Sequence, residues 1–185
     1  MRIGVISDTH GDLNAWRQAL AGPFDGVDLI LHAGDVLYHG PKNPMVPGYG
    51  PAALAEAINS SPAPVIIARG NCDSAVDQLV LDYPIQAPYA FVQIGEMRIL
   101  LNHGDELSQA QMIDQARRYR AQIFVFGHIH TPVLEKRNGV VLLNPGSAAL
   151  PKSPSATVGL IDTGARTVAL VELTSGVLLT RIIHE

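Results

Sequence analysis

The chain has 185 residues, 47% of them hydrophobic and 16% charged, and 13 basic against 17 acidic side chains leave a formal charge of −4. That balance is too apolar for a disordered segment, and a net acidic chain lacks the electrostatic footprint of a general DNA or RNA binder. The single cysteine, Cys72, rules out an intramolecular disulfide, and apolar runs such as Ile123 to Phe126 are strand-sized, so no membrane span is expected. The opening residues turn polar by Ser7-Asp8, too soon for a secretory signal, which with the lone cysteine points to a reducing cytoplasm. Residues 1–185 are read as one domain, with no repeat, low-complexity tract or composition shift to divide them.

Strand-like runs alternate with helix-like windows, the pattern of an α/β domain. Arg2 to Ser7 reads as a strand, followed by a helix with Asp12 as N-cap and Leu13, Trp16 and Leu20 as its apolar stripe, stopped at Gly22-Pro23. Asp28 to His32 is a second strand. The Gly/Pro-rich stretch from Val36 to Gly50 is a long loop, and Pro51 suits the first position of a helix through Ile58. Pro64 to Ala68 is a third strand, and Tyr89 to Ile94 with Met97 to Asn102 forms a hairpin about Gly95-Glu96. A helix from about Ser108 to Tyr119 presents Met112, Ile113, Ala116 and Tyr119 on one face, and Gln122 to Phe126 is another buried strand. Beyond it the chain is mostly β: a hairpin turning at Asn138-Gly139, then strands over Thr157 to Thr163, Thr167 to Leu173 and Val177 to Ile183.

Five of the apolar runs end in a polar cluster: Asp8-Thr9-His10, Ala33-Gly34-Asp35, Gly70-Asn71-Cys72-Asp73, His103-Gly104-Asp105 and Gly127-His128-Ile129-His130. Ligands of α/β sheets bind beyond the carboxyl ends of the strands, so these clusters have a physical reason to converge. Their carboxylates, imidazoles and one side-chain amide are hard-to-borderline donors. Seven such groups exceed what one catalytic zinc takes, and suffice for two ions if one carboxylate bridges.

In that order the clusters resemble the calcineurin-like metallophosphoesterase superfamily, whose pattern is D-x-H, G-D, G-N, H and G-H-x-H. Within it the chain is most similar to the small bacterial and archaeal YfcE-type phosphodiesterases, on Gly70-Asn71-Cys72-Asp73, His39-Gly40-Pro41-Lys42-Asn43 and Asn144-Pro145-Gly146-Ser147. The resemblance implies a four-layer αββα sandwich with two central mixed sheets, the β-rich closing segment supplying much of the second. It also implies two divalent ions, Mn2+ foremost, with Ni2+, Co2+, Zn2+ or Fe open to the same donors. One ion would take Asp8, His10 and His130, the other Asn71, His103 and His128, with Asp35 bridging. A hydroxide shared by the ions would then attack a small phosphate diester in line, with no covalent enzyme intermediate.

Asp35, His39 and Asp73 form the candidate catalytic set: His39 as a general acid or simply an exposed loop histidine, Asp73 as a group that positions a neighbour or caps a turn. Asn43 and Cys72 are candidates for substrate contact. Cys72 stands where many protein phosphatases of the superfamily carry a histidine, and a small packing residue is its simpler role. His32 reads as a satisfied core group that orients a neighbour, and Asn144 to Ser147 as a brace behind the site. Arg117, Arg118 and Arg120 fall at a helix end and read as a solvated face, and His184 as a solvated terminal residue. The same ligands would serve a phosphomonoesterase or a nucleotide pyrophosphohydrolase. A scaffold of the retromer kind shares the fold, but retention of every histidine of the pattern favours an enzyme. The apolar strands near the C-terminus leave a homo-oligomer open.

Overall fold

The structure is a computed structural model that describes residues 1–183, and the expectation for His184 lies outside them. Two mixed sheets pack face to face between helices, the expected four-layer αββα sandwich. The first sheet begins with β1 (Arg2–Ile6), crosses through α1 (Leu13–Ala21) to β2 (Leu29–His32), then through α2 (Pro51–Asn59) to β3 (Val65–Ala68) and the two-residue β4 (Ile85–Gln86), all parallel. The second sheet comprises β5 (Ala90–Ile94), β6 (Met97–Leu101), β7 (Ile123–Val125), β8 (Val133–Arg137) and β9 (Val140–Asn144), with α3 (Gln109–Arg118) crossing from β6 to β7. Strands β6, β7 and β9 are parallel, and β5 and β8 flank them antiparallel.

Strands covered on both faces must be apolar on both, and β1 and β2 show how the chain meets that demand. Ile3, Val5, Leu29 and Leu31 point into the core between the sheets, whereas Ile6 and Ile30 point out onto α1 and α2. A third core lies under α3, where Met112, Ile113 and Ala116 meet Leu100, Phe124 and Leu142.

Asp12 caps α1 as expected, accepting from Asn14 N at 2.8 Å and Ala15 N at 3.3 Å. The buried stripe of that helix is Ala15, Trp16 and Ala19, with Leu13 and Leu20 only half-buried. The small alanines let the helix approach the sheet while the indole fills the gap. Ser108 and Gln111 close a capping box on α3. Tyr119, expected on its buried face, is instead exposed and packs its ring beside Tyr89 and Phe91.

The closing segment departs from expectation. Only its first hairpin, β8 and β9, joins the second sheet, while β10 (Thr157–Asp162), β11 (Thr167–Glu172) and β12 (Leu178–Ile183) extend the first. The free edge of β1 explains this: β2 holds one side, and β10 pairs antiparallel on the other from Arg2↔Asp162 to Val5↔Gly159. Strand β4 was not predicted, being too short to carry a periodic signal. No helix among the described residues is long and apolar enough to cross a membrane.

Gly4 in β1 sits against the buried ring of Phe24, and a Cβ there would lie 2.7 Å from Phe24 Cδ1. Gly4→Ala should therefore destabilise the protein by about 1–3 kcal/mol through overpacking. Urea unfolding should show this as a lower midpoint at unchanged slope, partly recovered by Phe24→Leu in the same chain.

Candidate metal centre

The clusters that follow β1, β2 and β3 of the first sheet and β6 and β7 of the second all reach one edge of the sandwich. There the backbone turns sharply, and five of the predicted ligands hold left-handed φ: Asp8 at 54°, His10 at 45°, Asp35 at 57°, His128 at 68° and His130 at 59°. Such conformations are costly for residues with a Cβ and concentrate where side chains must be aimed.

Three imidazoles are aimed by the main chain. His10 Nδ1 donates to Tyr38 O at 2.9 Å, His103 Nδ1 to Ala33 O at 2.8 Å and His130 Nδ1 to Leu150 O at 2.7 Å. Each neutral ring is thereby left with a lone pair on Nε2, and all three lone pairs face acceptors. His10 Nε2 and His130 Nε2 stand 3.2 Å apart, with Asp8 Oδ1 3.7 Å from the first and 3.2 Å from the second. His103 Nε2 lies 3.4 Å from Asp35 Oδ2 and 3.1 Å from Asn71 Oδ1, which is itself 2.9 Å from His128 Nδ1. Asp35 Oδ2 also lies 3.8 Å from His10 Nε2, between the two groups.

A convergence of lone pairs and carboxylate oxygens is repulsive unless a cation occupies it. Asp8 Oδ1 is buried with no hydrogen-bond partner, an expensive state that a bound ion relieves. Donor atoms of Asp8, His10 and His130 lie within 4.8 Å of one another, as do those of Asp8, Asp35 and His103. The residues therefore fit divalent cations.

Protons compete for the same lone pairs. Burial opposes a charge on His103, but the Asp35 carboxylate, backed by Asp8, outweighs it and holds the pKa up at about 9. His10 is raised in the same way, against its burial, chiefly by Asp8. Burial would raise Asp8, yet the His10 and His130 imidazoles facing it, with His103 behind them, hold it far below the usual carboxylate range. Metal uptake at these imidazoles must displace protons.

The other predicted residues occupy distinct places. Asp73 is buried away from the donor atoms, its Oδ2 accepting from Asp35 N at 2.9 Å and Gly70 N at 2.7 Å, and its Oδ1 from Val36 N at 2.7 Å. It ties the Asp35 turn to the Asn71 turn, and both carboxylate oxygens are engaged in doing so. Cys72 N donates to Asp35 Oδ1 at 2.8 Å, and the Cys72 thiol lies within 4.8 Å of donor atoms of His10 and Asp35. Burial first, and Asp35 second, push that thiol up to about 12, so it stays protonated at neutral pH. Asn71 Nδ2 donates to Cys72 Sγ at 3.4 Å, which turns Asn71 Oδ1 toward the imidazoles. His39 is packed edge-on between Tyr38 and Tyr49, its Nδ1 3.4 Å from Tyr49 Oη, and Asn43 folds back to donate to His39 O.

The expected brace is present. Ser147 Oγ donates to Asp8 O at 2.8 Å and accepts from Leu150 N, and Asn144 Nδ2 donates to Gly127 O at 2.7 Å. Ser7 was missed: its hydroxyl donates to Asp8 Oδ2 at 2.6 Å, and its position directly before Asp8 at a strand end was the available signal. The carbonyls of Ala33, Tyr38 and Leu150 carry no sequence signal at all.

Residues 1–166 match the sequence model of the calcineurin-like phosphoesterase superfamily domain. Phosphodiesterase YfcE of Escherichia coli K12 is 38% identical over 164 residues, 88% of each chain. A probable metallophosphoesterase of Methanothermobacter thermautotrophicus is 34% identical, over 88% of this chain and 87% of its own. The structure of the E. coli phosphoesterase Yfce superimposes with a TM-score of 0.85 at 32% identity, covering all of both chains. Vacuolar protein sorting 29 from Cryptosporidium parvum shares the fold, with a TM-score of 0.71 at 23% identity over 98% of this chain and 97% of its own. The chain belongs to the calcineurin-like phosphoesterase superfamily, and within it to the YfcE-type proteins. It is a metal-dependent phosphoesterase.

His32 lies fully buried behind the centre. Its Nδ1 accepts from Gly34 N at 3.1 Å, which assigns the proton to Nε2, 3.0 Å from Thr9 Oγ1; that hydroxyl in turn donates to Val36 O. Burial lowers the His32 pKa from 6.5 to about 4, so the unfolded chain binds the extra proton between those values and the native protein does not. The stability His32 contributes is full above pH 6.5 and lost as pH falls toward 4, by about 2 kcal/mol at pH 5. Urea unfolding at pH 7 and pH 5 should show this loss in the wild-type protein and not in His32→Gln, with the other titrating groups common to both.

Proposed function

We propose that the chain is a binuclear-metal phosphodiesterase acting on a small phosphate diester. The observation that carries this reading is Asp35 Oδ2, set between His10 Nε2 at 3.8 Å and His103 Nε2 at 3.4 Å, one from each donor group. Asp8, His10 and His130 would hold one ion and Asn71, His103 and His128 the other, with Asp35 shared. The nitrogen and oxygen donors suit Mn2+, and admit Ni2+, Co2+, Zn2+ or Fe. When bound, two such ions act as Lewis acids that activate water and neutralise charge building at phosphorus.

The remaining residues orient this set. The carbonyls of Tyr38, Ala33 and Leu150 keep the Nδ1 protons of His10, His103 and His130, so that their Nε2 atoms stay open for ligation. Asp73 acts by position, through its three backbone amides. Cys72, protonated at neutral pH, lines the approach and is no nucleophile. His39, which follows in the chain the Tyr38 carbonyl that fixes His10, is the candidate to give a proton to the leaving oxygen, and Asn43 steadies the loop that carries it.

Side-by-side rates for one diester and its monoester with Mn2+ test the reading. The diester should turn over faster, on protein containing two ions per chain. Metal-loaded protein that hydrolyses neither would revive the scaffold, and a faster monoester would replace the substrate class.

The bridge is tested separately by metal titration. Asp35→Asn should weaken both ions together, by roughly tenfold or more, whereas His10→Ala should weaken mainly one. Equal, small losses from both changes would remove Asp35 from the shared position.

A further inference from the structure

Arg69 follows directly on β3 and belongs neither to the donor set nor to the groups that aim it. Its backbone N donates to Gln86 O at 2.8 Å, so the short strand β4 fixes where the residue stands. The side chain then folds back over the turn from Gly70 to Asp73, which Asp73 N closes on Gly70 O at 3.3 Å. There Arg69 Nε donates to Asp73 O at 3.2 Å. The guanidinium is thus held by one edge against the turn that carries Asn71, whose Oδ1 lies 3.1 Å from His103 Nε2 and 2.9 Å from His128 Nδ1.

Arg69 and Asn71 line the same groove, of about 450 Å³. Asp105 and Glu106 line it too, yet neither forms an ion pair with Arg69. Among the described residues no acceptor engages the two terminal nitrogens of the guanidinium. One edge of the group is therefore spent on orientation, and the fork that remains is open to the groove. An anchored fork has less freedom to lose on binding than an ordinary surface arginine.

The chemistry of the neighbouring centre supplies the missing acceptor. A phosphodiester carries its negative charge on its non-bridging oxygens, and displacement at phosphorus builds more charge there. Arginine is the side chain whose planar fork matches such oxygens in both charge and shape. Arg69 shares a groove with a candidate ligand, so a phosphate held at the donor cluster has this fork on its Asn71 side. We propose that Arg69 is a substrate-contacting residue, whose terminal nitrogens bind a non-bridging oxygen of the phosphate. The proposal rests on the phosphodiesterase reading and adds to it a contact from outside the candidate ligands.

The test is calorimetric titration of the Mn2+-loaded protein with methylphosphonate, a phosphate mimic whose P–C bond resists hydrolysis. Arg69→Gln should bind it roughly tenfold or more weakly than the wild-type protein does, the loss expected for a charged hydrogen bond. Arg69→Lys, which keeps the charge without the fork, should fall between the two. Mn2+ titration of both variants should match the wild-type protein in number of ions and in affinity. Guanidinium added to Arg69→Ala should restore part of the lost methylphosphonate binding, and sodium at the same concentration should not. Arg17→Gln, at an exposed position on α1, should bind methylphosphonate as the wild-type protein does. Unchanged methylphosphonate affinity in Arg69→Gln would overturn the contact and leave the metal reading intact. Weakened Mn2+ binding in Arg69→Gln, with no rescue of Arg69→Ala by guanidinium, would also overturn it, leaving Arg69 a brace of the Asn71 turn. Wild-type protein that takes up no Mn2+ would bring down the metal reading, and the contact with it.

Discussion

The candidate centre depends on where three imidazole protons go. His10, His103 and His130 each commit Nδ1–H to a main-chain carbonyl, so each ring can present only a lone pair, or a second proton, from Nε2. Around those lone pairs the fold gathers more acceptors: the orphaned Asp8 Oδ1, the shared Asp35 Oδ2 and the amide oxygen of Asn71. A buried arrangement of this kind is stable only with positive charge inside it. Protons supply that charge at the raised pKa values of His10 and His103, and divalent ions supply it better.

Holding such a cluster is a problem of backbone strain. Five of the candidate ligands adopt left-handed φ, and close packing keeps them there. A Cβ on Gly70 would strike Asp35, so the Asn71 turn can approach the Asp35 turn only through a glycine. Asp73 then fastens the same two turns through three amides. Its role follows from where its oxygens point: toward backbone N–H groups, with none left to face a substrate.

Much of this was legible in the sequence, and what was not has physical reasons. The strands and helices carry strong periodic patterns, and Asp12, Ser108 and Asn138-Gly139 mark caps and a turn that the structure repeats. The order of the polar clusters pointed to seven candidate donors, and the structure brings these residues to one edge. Whether β10 to β12 would join the first or second sheet was not legible, because strand pattern says nothing about which free edge a strand will find. The role of Asp73 was open for a similar reason: a carboxylate after Gly-Asn can face a ligand or a backbone, and only the path of the Asp35 turn decides. Carbonyls that fix the histidine tautomers belong to Ala33, Tyr38 and Leu150, whose side chains are irrelevant to the task.

The donors are divided between the two sheets. Asp8, His10, Asp35 and Asn71 follow strands of the first, and His103, His128 and His130 follow strands of the second. Neither sheet alone holds a complete set, and the apolar layer of Val5, Leu31, Ile99 and Val125 is what brings the halves together. The site is therefore complete only when the two sheets are docked. Partly folded chains, with one sheet formed and the other not, carry no finished chemistry to misuse.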